Sequence, residues 1–228
     1  MRVLTWNILH PDTDDERNAD PDRLNKIFDR VKHYYPDIVC LQEVDMSQIE
    51  DVYTASFSDY HVVWQNDKRR VKVLEKWRKD REKKPHTMVC ATLVRKDMEV
   101  LGHTVASRSL TVTVKKGDRV INSTNVHLES GKDVNEIHLK HLTKLVGNAD
   151  ILCGDFNDFI GEPAIEYVKD NGYLSAYAKS RPEYTFYDLG RKMLIDFVFY
   201  KPVLKFGHVQ WEKETVLSDH VPVIVDFI

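Results

Sequence analysis

The N-terminal part of the chain constrains the fold most, because it indicates a strand, a helix and a second strand. Residues 2–9 (RVLTWNIL) alternate and are rich in β-forming residues, and residues 37–44 (DIVCLQEV) form a second apolar run. Between these runs, apolar residues recur at the helical period at Leu24, Ile27, Phe28 and Val31. Asp20 and Pro21 suit the start of that helix, and Pro36 blocks its continuation. This order of elements predicts an α/β fold.

The middle of the chain indicates more strands. Residues 87–94 and 99–105 resemble two paired strands around an intervening turn. Residues 109–114 and 119–126 predict a hairpin, in which Gly117 supplies the turn. The last of these strands runs into a histidine, so its end carries a group capable of proton transfer.

Size and composition limit the protein class. No linker or internal repeat divides the 228 residues, so we expect a single domain over residues 1–228. A hydrophobic share of 42%, a charged share of 30% and a net charge of −3 are ordinary, so nucleic-acid binding would need a local basic patch. No apolar run approaches the roughly 18 residues of a membrane span, and we expect neither a signal peptide nor a membrane partner. The three cysteines lie in apolar runs, which favours reduced core thiols and an intracellular location, in the cytoplasm or nucleus.

One segment departs from this ordinary composition. Residues 67–86 (DKRRVKVLEKWRKDREKKPH), here called the basic segment, contain ten Lys or Arg against four Asp or Glu. Such a segment is either a solvated charged surface or a phosphate-binding arm, with Lys68, Arg69 and Arg70 as candidate substrate contacts. Its position relative to the active site decides between the two.

Polar residues with catalytic chemistry recur where the predicted strands end. In residues 149–157 (ADILCGDFN) a buried strand stops at a glycine, and a carboxylate and an amide follow. Five predicted strands carry such residues at or beside one end: Asn7, Glu43, His127, Asp155, Asn157, Asp219 and His220. Because so many like charges repel unless a cation lies among them, and because the donors are oxygens rather than thiolates, this set favours Mg²⁺ or Mn²⁺. Such an ion suits phosphoryl chemistry.

Six ordered motifs carry a family resemblance: TWN, LQEV, NVHL, CGDFN, IDFVFY and SDHVPV, from residue 5 to residue 223. In order and spacing they resemble the endonuclease/exonuclease/phosphatase superfamily, which has the DNase I-like fold. The resemblance implies a four-layer α/β sandwich, with two packed, mainly antiparallel sheets flanked by helices. It also implies metal-dependent cleavage of a phosphodiester or phosphomonoester.

The resemblance assigns the metal ligands. Glu43 resembles the main metal-binding carboxylate, with Asn7 beside it. Asp219 resembles a further ligand or an orienting group for the histidine that follows it. The implied cofactor is Mg²⁺, or Mn²⁺ in its place.

The resemblance also assigns the catalytic groups. Asp155 resembles the residue that orients or deprotonates the attacking water, and Asn157 its partner on the phosphate. His220 resembles the imidazole that contacts the phosphate, held in place by Asp196. His127 matches a second histidine that protonates the leaving oxygen or stabilises charge on the phosphate.

Two branches of the superfamily compete. Residues 181–200 (RPEYTFYDLGRKMLIDFVFY) resemble the deadenylase branch that includes nocturnin, and Tyr184 and Tyr187 there form either a stacking wall for unpaired bases or part of the core. HLES at residues 127–130 and the region of Arg108, a candidate phosphate contact, are closer to the tyrosyl-DNA phosphodiesterase branch.

The leading hypothesis is therefore a divalent-metal-dependent phosphodiesterase, most simply a 3′ to 5′ exoribonuclease on single-stranded RNA. The alternative is a DNA-end or 5′-tyrosyl-DNA phosphodiesterase with a role in DNA repair. A phosphatase of small phosphorylated metabolites and a catalytically inactive RNA-binding scaffold come after these. Nucleic acid is the expected partner in most of these hypotheses, and protein partners are not predicted.

Overall fold

The computed structural model describes residues 1–11, 13–66, 88–212 and 216–228. Within these residues there are fourteen strands, numbered in chain order: β1 (Arg2–Asn7), β2 (Ile38–Asp45), β3 (Tyr60–Trp64), β4 (Met88–Arg95), β5 (Glu99–Ala106), β6 (Ser109–Lys116), β7 (Arg119–His127), β8 (Ile151–Asp155), β9 (Leu174–Ser175), β10 (Phe186–Asp188), β11 (Arg191–Met193), β12 (Asp196–Tyr200), β13 (Phe206–Trp211) and β14 (Val223–Phe227). The longer helices are α1 (Arg23–Tyr34), α2 (Asn135–Leu145) and α3 (Pro163–Asp170). Short helical turns occupy Glu16–Ala19, Met46–Gln48, Ile49–Tyr53 and Thr54–Ser56.

Two six-stranded sheets form the centre of the molecule. Sheet A has the order β13-β14-β1-β2-β4-β3, and sheet B has the order β5-β6-β7-β8-β12-β9. Each sheet contains one parallel pair, β1 with β2 and β7 with β8, and its other neighbours are antiparallel. Strands β10 and β11 form a separate hairpin. The predicted four-layer α/β sandwich with mainly antiparallel sheets is confirmed.

Buried polar side chains join the two sheets across the apolar interior. Asn125 of β7 donates from Nδ2 to the carbonyl oxygens of Leu41 and Ala91 in sheet A, at 2.9 Å each. Gln42 of β2 donates from Nε2 to Asn125 Oδ1 at 2.7 Å. Because these groups are buried, the hydrogen bonds fix how one sheet lies over the other.

Helix α1 covers sheet A with the face that its sequence predicts. Ile27, Phe28 and Val31 are buried and pack with Leu4 and Trp6 of β1. The helix ends at Tyr34, and Tyr35 takes the left-handed conformation before the proline. It begins at Arg23, later than predicted, because the carboxylate of Asp20 accepts from the backbone N–H of Asp22 and forms a turn instead of a helix cap.

The predicted pairing of the strands after the basic segment is wrong. Strand β4 pairs with β2 and β3 in sheet A, whereas β5 pairs with β6 in sheet B. The turn between them therefore carries the chain from one sheet to the other. The hairpin of β6 and β7 is confirmed, with Gly117 at a φ of 59°. No helix among the described residues is long and apolar enough to cross a bilayer.

Candidate active site

The two parallel strand pairs end at the same side of the sandwich, here called the polar edge. Asn7 ends β1 opposite Gln42 of β2, and His127 ends β7 opposite Asp155 of β8. The two sheets meet there directly, because Asn7 Nδ2 donates to Asp155 Oδ2 at 3.0 Å. The carboxyl ends of all four strands therefore face one site.

Glu43 reaches the site from a bulge rather than from the end of a strand. The pairing of β2 with β4 shifts register between Leu41 and Val44, and Glu43 has a φ of 59°. Its Oε1 accepts from Asn7 Nδ2 at 3.1 Å, and its Oε2 accepts from the backbone N–H of His10 at 2.9 Å. Burial acts to raise the pKa of Glu43, but His127 and these hydrogen bonds lower it below its ordinary value. Glu43 is thus held as a carboxylate facing the site.

Asp155 is an almost fully buried acid of the polar edge. Its Oδ1 accepts from the backbone N–H of Asn157 at 2.9 Å, while its Oδ2 accepts from Asn7. Burial raises the pKa of Asp155 above its ordinary value, although His220 and His127 act in the opposite direction. A carboxylate with a raised pKa is a stronger base, which suits a group that takes a proton from water.

Two histidines flank Asp155. The Nε2 of His127 lies 3.8 Å from Glu43 Oε1 and 3.8 Å from Asp155 Oδ2, and the Nε2 of His220 lies 3.7 Å from Asp155 Oδ2. On the other side of its ring, His220 donates from Nδ1 to Asp196 Oδ2 at 2.8 Å. Burial acts to lower the pKa of His220, but Asp196 and Asp155 outweigh it and raise this pKa to about 10. His220 is therefore an oriented imidazolium, suited to bind phosphate oxygen.

Asn157 and Asp219 complete the site. Asn157 has a φ of 47°, and its Nδ2 donates to the carbonyl oxygen of Leu128 at 3.0 Å. Asp219 lies just before His220, and burial raises the pKa of its carboxyl group. The hydroxyl group of Ser218 donates to the carbonyl oxygen of Asn7 at 2.7 Å, which ties the Asp219 loop to the end of β1.

The donor set fits a hard divalent cation. Glu43, Asp155 and Asp219 present carboxylate oxygens to the site, and the raised pKa values of the two aspartates reflect the difficulty of burying negative charge there. Ligand atoms of Asp155, Asp196 and His220 also lie within 4.8 Å of one another. The Nδ1 of His220 is already bound to Asp196, so that nitrogen is not available to hold a cation. The Oδ1 of Asn7 accepts from the backbone N–H of Leu9 at 3.2 Å, so in this arrangement its amide nitrogen faces the carboxylates.

Comparison with known families decides the assignment. A family model described as the Endonuclease/Exonuclease/phosphatase family matches residues 4–220. The chain belongs to this family. Membership indicates a hydrolase that acts on phosphoester bonds, and the family is generally dependent on divalent metals. No curated protein matches the chain in a sequence search.

Solved structures with this family's fold cover the whole chain. An endonuclease/exonuclease/phosphatase from Bacteroides vulgatus has a TM-score of 0.81 and 21% identity, covering 100% of this chain and 98% of the other. The catalytic domain of human Nocturnin, solved with a sulfate anion, has a TM-score of 0.75 and 20% identity, covering 100% and 93%. TDP2 from D. rerio, solved with a single strand DNA product, has a TM-score of 0.75 and 17% identity, covering 100% and 98%. At these identities the similarities show the shared fold.

The predicted substrate-binding residues of this family member lie in three places. Tyr187 belongs to β10, and Tyr184 lies two residues before that strand. This region lies against the site, because Tyr187 N–H donates to the carbonyl oxygen of Asp219 at 2.7 Å. Arg108 is bonded to His127 through the backbone, because the His127 N–H donates to the Arg108 carbonyl oxygen at 3.0 Å. The Nε of Arg108 lies 2.8 Å from a carboxylate oxygen of Glu129. Lys68, Arg69 and Arg70 lie outside the described residues.

Three buried residues support the site although the motifs assign them no role: Arg23 and His138 lie outside every motif, and Gln42 lies within LQEV. Arg23 donates from its guanidinium group to the carbonyl oxygens of Ile8, Leu9 and Leu217 at 2.7–2.8 Å. Gln42 links the sheets beneath the site, and His138 of α2 is fully buried near the ends of β7 and β8. An arginine or histidine on a helix is usually taken as exposed, so the helical pattern gives no signal for either residue.

Proposed function

We propose that this protein is a divalent-metal-dependent phosphodiesterase that hydrolyses nucleic acid, most simply a 3′ to 5′ exoribonuclease on single-stranded RNA. One observation carries the proposal: Glu43, His127, Asp155 and His220 form a row at the polar edge in which each side chain lies within 4 Å of the next. Such a set combines acids that hold a cation with histidines that hold or protonate phosphate oxygens.

Each group has one step in the proposed reaction. A divalent cation held by Glu43, with Asp219 and Asn7 beside it, would neutralise phosphate charge. Asp155 accepts a proton from the attacking water, a role that its raised pKa supports. His220, oriented by Asp196, donates a hydrogen bond to a non-bridging phosphate oxygen. His127, whose Nε2 lies 3.8 Å from Asp155 Oδ2, protonates the leaving oxygen, and Asn157 orients the phosphate.

The β10–β11 hairpin supports a single-stranded substrate. Tyr187 is 45% exposed, and the centroids of the Tyr187 and Tyr184 rings lie 6.0 Å apart. Lys192 Nζ lies over the Tyr184 ring, 4.8 Å from its centroid. Exposed aromatic rings beside a phosphate site are typical of proteins that stack unpaired bases. The similarity of this chain to a TDP2 solved with single-stranded DNA points to the same class of substrate.

A second candidate activity is cleavage of DNA ends or of 5′-tyrosyl-DNA. The observation that favours it is the ion pair between Arg108 and Glu129. Glu129 belongs to HLES, the segment beginning at His127 that resembles the tyrosyl-DNA phosphodiesterase branch. We also propose an intracellular location, in the cytoplasm or nucleus. The three cysteines support it, because all three are free and buried.

The experiment compares labelled oligoadenylate, single-stranded DNA, duplex DNA and a 5′-tyrosyl oligonucleotide, each with Mg²⁺ or with EDTA. Wild type is tested beside Glu43→Gln and Asp155→Asn, with Glu99→Gln as the control because Glu99 is exposed and pairs with Lys115, at the end of sheet B away from His127. We expect stepwise shortening of oligoadenylate with Mg²⁺, a loss of at least about 100-fold in either site variant, and no change in the control. Release of tyrosine instead would favour the second candidate.

A binding measurement tests the metal site without turnover. We expect millimolar Mg²⁺ to raise the melting temperature of the wild type, because a ligand that binds only the folded state stabilises it. Glu43→Gln should show a much smaller rise. No turnover of any substrate with Mg²⁺, or full turnover in Asp155→Asn, would refute the proposed function.

A further inference from the structure

His138 connects the two loops that carry catalytic residues in sheet B. It lies in the first turn of α2 and has 0% exposure. Its Nε2 lies 2.8 Å from the carbonyl oxygen of Glu129, and its Nδ1 lies 3.1 Å from Asp158 Oδ2. Glu129 follows His127 by two residues, and Asp158 follows Asp155 by three. A single ring therefore bridges the loop after β7 and the loop after β8.

The chemistry of the two partners fixes the state of the ring. A carbonyl oxygen only accepts, so Nε2 must carry a hydrogen. A carboxylate also only accepts, so Nδ1 must carry a second hydrogen, and the pair is a buried imidazolium with a carboxylate. Burial acts to lower the pKa of His138, but the bonds to Asp158 and Glu129 raise it above its ordinary value, which agrees with this reading. Charge-assisted hydrogen bonds of this kind hold their geometry more tightly than neutral ones.

The bridge reinforces a short ladder between the same two loops. The backbone N–H of Leu128 donates to the carbonyl oxygen of Asp155 at 3.0 Å, and Asn157 Nδ2 donates to the carbonyl oxygen of Leu128 at 3.0 Å. Because β7 and β8 are parallel, their chains leave the sheet side by side and have no hairpin to hold them together. The two hydrogen bonds of His138, to Glu129 and Asp158, add a further link between these loops after Leu128 and Asn157.

We propose that His138 is a positioning residue of the hydrolytic site, which sets the distance between His127 and the Asp155–Asn157 pair by tying their two loops together. The expected effect on turnover rests on the proposed function, whereas the tie between the two loops does not. His138 does not touch the reacting atoms, since Glu129 and Asp158 stand between it and the site. Its loss would displace catalytic groups without removing any of them, and displacements on the ångström scale cost up to about 100-fold in rate.

The kinetic test uses four variants and a labelled oligoadenylate. His138→Leu removes both hydrogen bonds, while His138→Gln and Asp158→Asn each disturb one partner. In the double variant the glutamine amide can donate to the Glu129 carbonyl and the asparagine amide can donate to the glutamine oxygen, so a neutral bridge is restored. We expect His138→Leu to lower kcat by about 10- to 100-fold with KM changed less than about threefold, and the double variant to exceed both single ones. His103→Gln, at an exposed position of β5, is the matched control and should behave as the wild type.

Two results would overturn the proposal. If His138→Leu lowers the melting temperature but keeps kcat within about twofold at a temperature where it is folded, His138 is only a core residue. The same follows if the double variant is no better than the weaker single variant.

A measurement that needs no activity separates this inference from the proposed function. Hydrogen exchange of wild type and His138→Leu should show faster exchange in residues 127–130 and 155–159, with residues 2–7 of β1 unchanged. Unchanged exchange in both loops, or faster exchange across the whole of sheet B, would refute the bridge even if the wild type hydrolysed no substrate. Faster exchange confined to the two loops would support it.

Discussion

Arg23 tests how the polar edge is held together, because it is a charged side chain with 6% exposure that pairs with no carboxylate within the described residues. Its guanidinium group donates to the carbonyl oxygens of Ile8 and Leu9, which follow Asn7, and to that of Leu217, which precedes Asp219. The perturbation is Arg23→Met, which keeps the apolar stem and removes the donors. Three buried carbonyl oxygens then lose the hydrogen bond from Arg23, at about 1–3 kcal/mol each.

Taking the lower half of that range for each bond, we expect a total loss of about 3–6 kcal/mol in the free energy of unfolding. For a chain of this size that corresponds to a fall of roughly 6–24 °C in melting temperature. Urea unfolding and thermal melting measure it. The control is Arg30→Met on the same helix. The Arg30 side chain is 47% exposed and lies 3.5 Å from Glu212, so its loss should lower the free energy of unfolding by at most about 1 kcal/mol. Equal losses in the two variants would refute the reasoning.

Two further predictions concern stability. Gly154→Ala should destabilise the fold severely and lower activity, because its φ is 141° and an added Cβ would overlap the Val126 carbonyl oxygen; Gly102→Ala, which meets nothing within 4 Å, is the control in a thermal melt. Asp226→Asn should destabilise the protein at neutral pH, because the hydrogen bond from Arg2 lowers the pKa of Asp226 below its ordinary value of 3.8. The ionised carboxylate therefore adds to the free energy of unfolding above pH 3.8, and this contribution is lost as pH falls through the lowered pKa. Urea unfolding at several pH values should show that the difference in free energy of unfolding between wild type and variant becomes smaller in acid. A difference that does not change with pH would contradict this prediction.

The motif positions could be found from the sequence because each follows a short apolar run. A buried strand gives a clear run, and the polar residue after it is easily located, as with Asp155 after Ile151, Leu152 and Cys153. What the sequence does not contain is the partner of each strand. Strands β4 and β5 are adjacent in the chain and have the alternation of a hairpin, yet they lie in different sheets, since pairing depends on contacts distant in sequence.

The sequence identifies Glu43 but not the bulge that turns it toward the site, because no local preference predicts a non-glycine residue with positive φ there. The supporting residues could not be predicted for a different reason. Arg23 and His138 are buried because backbone carbonyls from remote loops surround them. Their partners are known only after the fold is known.

Strand direction explains why residues from 7 to 220 converge on one site. In a parallel pair both carboxyl ends meet at one edge, which brings Asn7 to the bulge of β2 and His127 to Asp155. The antiparallel neighbours then present their first residues at that same edge. Strand β12 begins with Asp196 opposite Asp155, and β14, antiparallel to β1, begins just after the Asp219–His220 loop.

This arrangement also explains why the supporting hydrogen bonds run between loops rather than along strands. Most residues of the candidate site lie just where a ladder of backbone bonds stops, so their positions are set by the next bond beyond the sheet. Arg23 supplies that bond for the loops of sheet A, and His138 supplies it for the loops of sheet B. If the two act alike, Arg23→Met and His138→Leu should lower kcat independently, and their effects on the free energy of activation should add in the double variant. Strong non-additivity would mean that the two sheets share one network across Asn7 and Asp155.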